Sequence, residues 1–253
     1  MTDIQNASVL KRISALLLDV ILLACLAVGA IYLVGKIVDY DTHWEKLDAK
    51  YKYYEETYDV KFNITAEELE NLSEEERTKY DEVEEIIKND VEFNKEYQLI
   101  INLTLLMVTF GICIAVMITD FVIPLIFKNG QTVGKKVFSL CVVKKNCVKI
   151  KNVQLFVRTL LGKFAVELMI PSYIIIMFYF GLIGILGFIF LMALTVVQLI
   201  LLIATRNRTV LHDLLSQTCV ADMGSQMIFE SEDVLIDFLS KKNRENVNNS
   251  IYK

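Results

Sequence analysis

Proline is nearly absent from this chain, and the motifs that identify common enzymes are missing. Only two prolines occur among 253 residues, and the segment from Ser73 to Phe110 contains neither proline nor glycine. Helices in that segment therefore lack the two residues that most often break them. No nucleophile and base stand in the pattern of a hydrolase, and no residues have clear metal-ligand spacing. We therefore expect neither an enzyme nor a bound metal or cofactor.

Cysteine is absent from residues 36–97, which excludes a disulfide framework there. Cys141, Cys147 and Cys219 occur later in the chain, and the first two are not spaced as a zinc knuckle. A zinc set of these three cysteines with His212 is an alternative to ordinary thiols in a reducing compartment. We favour the ordinary thiols.

Acidic residues are missing from residues 128–163, which carry nine Lys or Arg. Residues 36–97 have the opposite balance, with nine Lys or Arg against 20 Asp or Glu. Since basic residues that flank membrane spans are retained on the cytoplasmic side, the 128–163 loop is predicted to lie inside. The 36–97 segment is then extracytoplasmic, and both termini are cytoplasmic.

Three apolar blocks contain a single ionisable residue each, and a membrane span needs about 20 apolar residues. The first two blocks predict one span each. The third has 41 residues and predicts two spans, Phe164–Phe180 and Ile185–Ala204, joined by a glycine-rich reversal; one long buried helix is the alternative. The first block runs for 22 residues, too long for a signal peptide core. The blocks, each with its ionisable residue, are Ile13–Val34 (Asp19), Leu99–Phe127 (Asp120) and Phe164–Ala204 (Glu167).

The predicted fold is all-α and transmembrane: a four-helix membrane bundle with a helical external insertion and a small cytoplasmic β element. Its parts follow the chain in order. They are the N-terminus with the first span (1–35), the external acidic insertion (36–97), the second span (98–127), a basic cytoplasmic loop with strands and an interfacial helix (128–163), a hairpin of two spans (164–204), and a cytoplasmic C-terminal motif and tail (205–253).

The insertion contains two capping boxes, Thr65–Glu68 and Ser73–Glu76, in which a hydroxyl and a carboxylate satisfy free backbone N–H groups. Because no glycine or proline follows, the helix from Ser73 is predicted to continue into the second span. An aromatic stretch from Trp44 to Tyr58 is predicted to rest against the membrane interface. The acidity indicates a solvated face, or alternatively a vestibule that attracts cations.

The basic loop has a different pattern, with two short apolar runs around a polar turn. Val137–Val143 and Cys147–Ile150 predict strands, and Thr218–Asp222 is a third candidate. Val153–Leu161 predicts an amphipathic helix at the membrane surface.

One glycine-containing stretch first invites comparison with a phosphate-binding loop. Gly130 and Gly134 are separated by three residues instead of four, and no Ser or Thr follows the lysine pair, which excludes that motif. Four segments together resemble the RDD family of bacterial multi-pass membrane proteins. They are Arg12 with Asp19, the stretch Gly130–Val143, Arg158, and the closing stretch Arg208–Thr218.

The resemblance covers the membrane blocks and the inner loop, and it excludes the 36–97 segment and the last thirty residues. The Arg, Asp and closing Asp that name the family correspond to Arg12, Asp19 and Asp213. The resemblance implies a bacterial cell-membrane protein for which transport is the usual expectation, with sodium–proton exchange suggested for some members.

Two of the buried acids are predicted to lie at a similar depth. Asp19 is about seven residues inside the first span, and Asp120 is eight residues before Lys128, at the end of the second span, so both should face the bundle interior. Two close carboxylates repel, so such a site can exchange a proton for a cation. Glu167 is a candidate entrance group. Alternatively, Asp19 forms a structural ion pair with Arg158 or Arg208, and Asp120 pairs or snorkels.

Three further charged residues are candidates for structural roles. Arg12 is seven residues from Asp19, or about 10 Å along a helix, so each needs a partner elsewhere. His212 and Asp213 are predicted to fix the closing motif to the inner loop.

The leading functional hypothesis is a transporter of a monovalent cation, or a cation/proton antiporter, in the lipid bilayer. Four helices are few for a transport path, so a homo-oligomer is expected; nucleic acid is not an expected partner. The alternative is a non-transporting membrane module whose external acidic domain binds a partner or a cell-envelope component.

Overall fold

The structure is a computed structural model that describes residues 4, 7–65, 68–69, 71–205 and 209–251, with the backbone alone for 202 and 246–251. Two compact units are present: unit 1 comprises Met1–Ala30 and Ile112–Lys253, and unit 2 comprises Ile31–Gly111. The helices are α1 (Val9–Ile37), α2 (Tyr40–Tyr58), α3 (Glu74–Asn89), α4 (Val91–Phe127), α5 (Val133–Val137), α6 (Asn152–Tyr179), α7 (Ile185–Ala204), α8 (Leu211–Leu215) and α9 (Glu232–Ile251); the strands are β1 (Leu140–Lys144) and β2 (Thr218–Asp222).

Three of these helices are long and apolar enough to cross a membrane: α1, α4 and α6. Only 11, 28 and 11% of their most apolar windows is buried within the protein. So much exposed apolar surface is unfavourable in water and suits contact with lipid. A further apolar stretch, Ile185–Leu201, lies within α7, which has 20 residues.

The third apolar block is broken as predicted, since α6 ends at Tyr179 and α7 begins at Ile185. Gly181 lies between them with φ of +67°, a left-handed conformation that glycine adopts without strain. The alternative of one long helix over this block is wrong.

The predicted N-terminal boundary of this block, at Phe164, is wrong. The predicted surface helix Val153–Leu161 and the span predicted from Phe164 belong to one continuous helix, α6. Lys163, whose charge suggested a boundary at the membrane surface, instead forms an ion pair with Asp120. A paired cation can lie inside an apolar helix bundle, so the charge does not end the helix.

Two of the long helices, α4 and α6, contain a wider, π-helical segment that includes an acidic residue. These are Met117–Val122 in α4 and Arg158–Met169 in α6. The first is seen in the bond from Ile123 N–H to the Ile118 carbonyl, five residues back. Such segments are rare and occur frequently at functional sites.

The predicted β element is confirmed in part. β1 and β2 pair antiparallel, with Leu140 opposite Asp222 and Lys144 opposite Thr218. The start of the first predicted strand is wrong, because Val137 ends α5, whose N-cap hydroxyl comes from Thr132. The predicted second strand makes only isolated bridges, from Val143 to Lys149 and from Val148 to Phe229.

The two faces of this sheet have separate cores because side chains alternate along a strand. One face packs Leu140, Val142 and Val220 against Ala7 and Ala15 of the N-terminal segment. The other face contains Cys141, Val143, Cys219 and Ala221, with Ile4 and Ile228 against them.

Unit 2 contains one further core, between α2, α3 and the start of α4; it comprises Leu47, Tyr54, Val83, Ile87, Phe93 and Ile100. The predicted packing of aromatic side chains against the membrane interface is wrong for Tyr54, which is 8% exposed within this core. Trp44 and Tyr53 remain 48 and 63% exposed.

The capping box at Ser73 is confirmed, but the predicted continuous helix from Ser73 into the second span is wrong. Asp90 has φ of −74° and ψ of 109°, which ends α3. Its Oδ1 then accepts bonds from the N–H groups of Glu92 (2.8 Å) and Phe93 (3.2 Å), so it caps the start of α4. Tyr54 adds a 2.6 Å bond from its hydroxyl to Oδ2.

Candidate functional site

Asp19 of α1 is held by the stretch that begins at Gly130. Its Oδ1 accepts the Gly134 N–H at 2.7 Å, its Oδ2 accepts the Thr132 hydroxyl at 2.5 Å, and Lys135 Nζ lies 3.8 Å away. A Cβ on Gly134 would lie 2.2 Å from the Ala15 carbonyl oxygen, so this approach requires glycine. The carboxylate therefore fastens the inner loop to α1.

Asp19 forms an ion pair, but the predicted pairing with Arg158 is wrong. Its cationic neighbour is Lys135, whereas Arg158 pairs with Asp213 at 2.9 Å, with both side chains at most 4% exposed. Arg208, the other predicted partner, lies outside the described residues.

Arg12 has a partner elsewhere, as its distance from Asp19 predicts. Its Nη2 donates to the Val220 carbonyl of β2. The adjacent Lys11 pairs with Asp222, at the end of the same strand, at 2.6 Å. The first turn of α1 is thus tied to the sheet.

Asp120 lies in the π segment of α4 and is 6% exposed. Its Oδ1 forms an ion pair with Lys163 of α6, and its Oδ2 accepts the Thr119 hydroxyl at 3.1 Å. Its backbone carbonyl accepts the Thr159 hydroxyl at 2.8 Å. Pro124, four residues later, lacks the N–H that would bond this carbonyl in an α-helix, so the carbonyl can take a side-chain donor.

His212 of α8 lies between Glu167 and Arg158. Its Nδ1 is 2.8 Å from Glu167 Oε1, and its Nε2 is 2.9 Å from Arg158 Nη2. An arginine can only donate, so Nε2 accepts and the proton lies on Nδ1, facing Glu167. His212 is therefore neutral, in agreement with burial as the main factor that lowers its pKa. A hydrogen bond from Gln198 of α7 also reaches Glu167.

Asp213 is the acid that faces Arg158 in the closing motif. Burial alone would raise the pKa of Asp213, but the Arg158 guanidinium, with smaller contributions from other neighbours such as Lys135, outweighs burial and lowers that pKa to about 2. Gly162 permits the close approach of α8 to α6, since a Cβ there would lie 2.4 Å from the Cβ of His212. The closing motif is thus fixed to α6.

A cavity of about 150 Å³ lies within this network. Burial, followed by the repulsion of Lys163 and Arg158, lowers the pKa of Lys135, one of its lining residues, to about 8. The charged or titratable lining residues are Arg12, Asp19, Lys135, Arg158, Lys163, His212 and Asp213.

The two predicted exchange acids are not left as a bare carboxylate pair. Asp19 has Lys135 beside it, and Asp120 has Lys163. Glu167, predicted as an entrance group, is bound to His212 instead. These acids stand out in the sequence as lone charges in apolar blocks, whereas neither lysine was predicted to be their partner.

One signal in the sequence could have marked this part of the protein. The only two prolines in the sequence, Pro124 and Pro171, each follow the single acid of an apolar block by four residues, Asp120 and Glu167. A proline at that spacing removes the helical donor to the carbonyl of the acid. Such a pattern indicates irregular helix around each acid.

Within the described part of the chain, no three or more His, Cys, Asp or Glu side chains are grouped to hold a metal ion. Burial raises the pKa of Cys141 to about 11 and that of Cys219 to about 12. Both thiols are therefore protonated and poor nucleophiles at neutral pH.

Comparison with known proteins supports the resemblance seen in the motifs. A model of the RDD family matches residues 6–217, which include every residue of the charged network. No curated protein and no solved structure matches the chain. With three helices long and apolar enough to cross a bilayer, this is an integral membrane protein, and the chain belongs to the RDD family.

Proposed function

We propose that this protein exchanges a monovalent cation for a proton across a bacterial cell membrane, at the pair formed by Asp120 and Lys163. The observation that carries the proposal is a carboxylate 6% exposed, in an irregular segment of an apolar helix, bound to an ionisable amine. Ionisable groups within spans are costly and are often part of an ion pathway.

The surroundings of the two acids favour Asp120 over Asp19 as the exchange group. Both oxygens of Asp19 accept hydrogen bonds from the inner loop, so a cation would have to displace the loop. Among the described residues, the Asp120 carboxylate is bonded by Lys163 and the neighbouring Thr119 hydroxyl, and Thr159 supplies a further oxygen nearby. Irregular helix with exposed oxygens is also the form of known transporter ion sites.

Charge balance gives the stoichiometry of the proposed exchange. When a cation binds the Asp120 carboxylate, it replaces the Lys163 ammonium as the counter-charge. An ammonium without a carboxylate is unfavourable in a low-dielectric interior, so Lys163 releases its proton. One cation is then taken up for each proton released, and the site keeps the same net charge.

The contacts within unit 1 support four membrane spans. Ala7 packs against Leu140 and Val220, and β1 pairs with β2, so the N-terminal segment and both strands lie on one side of the membrane. The chain must therefore cross the membrane an even number of times between the N-terminal segment and β1, and again between β1 and β2. If α6 crosses the bilayer, α7 must cross it too, and its 20 residues span about 30 Å.

The basic 128–163 loop makes that shared side the cytoplasm, with both termini inside and residues 36–97 outside. The four spans expose much apolar surface, and we propose that a second copy completes the transport path. The proposal assigns the protein no enzymatic step.

The test uses purified protein in proteoliposomes, with a pH gradient and Na⁺, K⁺ or Li⁺ on one side. Wild-type protein should show cation uptake coupled to proton movement. Lys163→Arg should keep the ion pair and the fold but abolish exchange, because a guanidinium does not release its proton. The matched control is Lys144→Arg: Lys144 pairs with Glu232 at 2.9 Å, is 12% exposed against 15% for Lys163, and lies on the sheet.

Exchange should survive in the control at the wild-type rate. Wild-type exchange in folded Lys163→Arg would refute the role of Lys163. Absence of uptake of all three cations by the wild-type protein would refute transport itself.

The second candidate function is partner binding by the external unit, and one feature of unit 2 favours it. A pocket of about 640 Å³ has four acidic side chains, Glu55, Glu56, Asp59 and Glu76, among its lining residues. Under the transport proposal, Glu55→Gln together with Glu56→Gln should leave exchange unchanged. Under the binding proposal, the same change should release a bound cell-envelope component in a pull-down with full-length protein.

A further inference from the structure

The two histidines of the chain, His43 and His212, have neighbours of opposite charge. His43 Nδ1 lies 3.7 Å from the Glu96 carboxylate, with both side chains 28% exposed. His212 has a cationic neighbour instead, since its Nε2 accepts from Arg158 Nη2 at 2.9 Å. Histidine is the side chain that ordinarily changes charge near neutral pH. Protonation therefore adds an attraction at His43, whereas at His212 it removes an existing hydrogen bond.

The neutral ring of His212 is held from both sides. Its Nδ1 lies 2.8 and 2.9 Å from the two carboxylate oxygens of Glu167, on the side away from Arg158. Gly162 brings α6 so close that a Cβ there would lie 2.4 Å from the His212 Cβ. The ring therefore has little room to turn away from Arg158 when it gains a proton.

A protonated His212 has a new partner within reach. Its Nε2 lies 3.7 Å from Asp213 Oδ1, the oxygen to which Arg158 Nε donates at 2.9 Å. Since a protonated Nε2 can only donate, it repels the guanidinium and attracts this oxygen. A short movement brings the two atoms to hydrogen-bond length. Asp213 can thus be bound by Arg158 or by His212, and the proton on His212 selects between them.

The charges around His212 accommodate both states. With a neutral ring, one guanidinium stands among two carboxylates, and with a protonated ring two cations stand among the same two carboxylates. The acid state is therefore balanced in charge, and burial is the main factor that lowers the pKa of His212. The charged groups that act on the ring or on its partners are Arg158, Lys163 and Glu167 of α6, Lys135 of α5, and Asp213 of α8.

We propose that His212 is a pH switch: in acid it gains a proton and takes Asp213 from Arg158. A buried charge change of this kind acts through an element that has two arrangements, here the shared carboxylate. The change of partner is independent of the proposed cation exchange, because it requires no flux.

The switch also regulates the proposed exchange, and this consequence rests on the proposed function. Arg158 is the first residue of the π segment of α6, which contains Lys163. The next residue, Thr159, bonds the Asp120 carbonyl at 2.8 Å. Release of Arg158 therefore loosens the segment that positions Lys163, and exchange slows. In the proposed orientation, the switch senses the pH of the cytoplasm.

The first test follows the proton on His212 directly. Full-length protein labelled with ¹⁵N-histidine is titrated in detergent from about pH 8 to about pH 5, a range that includes the ordinary pKa of histidine. A His43→Gln background leaves one histidine, so every signal belongs to His212. We expect a neutral ring protonated on Nδ1 at the alkaline end and a doubly protonated ring in acid. A neutral ring protonated on Nε2, or a ring still neutral at the acid end, would overturn the switch.

The second test asks whether the proton releases α6. His212→Gln can donate to Glu167 and accept from Arg158, but it does not titrate. At the same acid pH, hydrogen–deuterium exchange of residues 155–165 should be faster in the wild type than in this variant. The matched control is His43→Gln, which should behave as the wild type. Equal protection in the wild type and His212→Gln would overturn the proposal; His212→Asn replaces a variant that does not fold, and the titration decides if neither folds.

The third test measures cation exchange in proteoliposomes over the same pH range. The loss of exchange in acid should follow the protonated fraction of His212 and should be smaller in His212→Gln. An equal loss in both proteins would overturn the regulatory role. Faster amide exchange in α6 without cation flux at any pH would support the switch and refute transport, so the two failures are distinguishable.

Discussion

At the scale of single residues, the kind of donor around each acid and the segment it comes from separate anchoring from exchange. Asp19 receives a backbone N–H and a hydroxyl, and Asp213 receives two bonds from the Arg158 and Thr218 side chains. Asp120 relies on one lysine and an adjacent threonine. A carboxylate that holds a distant segment in place is costly to release, whereas one bound by a flexible lysine can change its partner.

Asp19→Asn is predicted to lower the stability of the protein and to leave cation exchange per folded molecule largely unchanged. Asparagine presents an NH₂ group to one of the two donors and leaves Lys135 without its acid. The loss should be on the order of 3–5 kcal/mol, the cost of breaking a buried pair. Thermal unfolding in detergent measures it.

The control for this change is Asp48→Asn, which breaks an exposed pair with Lys52 at 2.7 Å and should have little effect. Exchange is measured on the same preparations, per folded molecule. A stable Asp19→Asn protein without exchange would contradict the anchoring role and return Asp19 to the transport site.

Sequence reasoning identified the acids at this scale but not their partners. A lone acid in an apolar run is visible in the sequence because it is costly in lipid. Its partner is not visible, because Lys135 and Lys163 belong to a loop whose nine basic residues have the same average effect on topology. Only the packing of α1, α4 and α6 distinguishes these two lysines from the other basic residues.

At the scale of elements, individual side chains decide where one helix ends and the next begins. Asp90 ends α3 and caps α4, although neither glycine nor proline is near it. Its bond from Tyr54 depends on α2, which is remote in sequence. The prediction of an uninterrupted helix was therefore wrong because of a tertiary contact: in the core of unit 2, Tyr54 of α2 bonds to the capping residue Asp90.

Asp90→Ala is predicted to destabilise the junction of α3 and α4 more than Ser73→Ala destabilises the start of α3. Both changes remove a cap, but only the first also removes the Tyr54 bond. Hydrogen–deuterium exchange should show faster exchange in the first turn of α4 and in α2. Equal protection in the two variants would contradict the coupling of Asp90 to α2.

The effect of Asp90 should depend on pH. Bonds from Tyr54, and then from the Phe93 backbone N–H, lower the pKa of Asp90 in the folded protein. The stability that it contributes is thus present above its unfolded pKa and is lost as the pH falls through the lower, folded value. The difference in exchange between wild type and Asp90→Ala should therefore shrink in acid.

At the scale of the whole molecule, the pairing of β1 with β2 constrains how the chain crosses the membrane. The two strands are separated along the chain by α6 and α7, so their pairing requires both helices to cross or neither to cross. A three-span arrangement would place the strands on opposite sides. The small sheet therefore carries more topological information than the length of any one helix.

Labelling of introduced cysteines with a membrane-impermeant thiol reagent measures on which side of the membrane each segment lies. The native Cys141, Cys147 and Cys219 are 0% exposed and cannot report it. In intact cells Glu82→Cys should react, whereas Lys145→Cys and Asp233→Cys should react only after permeabilisation. If Lys145→Cys reacted in intact cells, the predicted orientation would be reversed. If Asp233→Cys reacted in intact cells and Lys145→Cys did not, the chain would have three spans instead of four.

The sequence by itself determined the family, the apolar blocks, the break near Gly181 and the presence of strands around Cys141 and Cys219. These depend on composition and on neighbours along the chain, which set hydrophobicity, turn conformation and the spacing of motifs. The tertiary structure alone decided that Asp19 anchors the inner loop, that Lys163 lies opposite Asp120, and that β1 pairs with β2. The reason is physical: the cost of burying a charge is set by the residue itself, but the group that offsets this cost is set by packing between segments far apart in sequence.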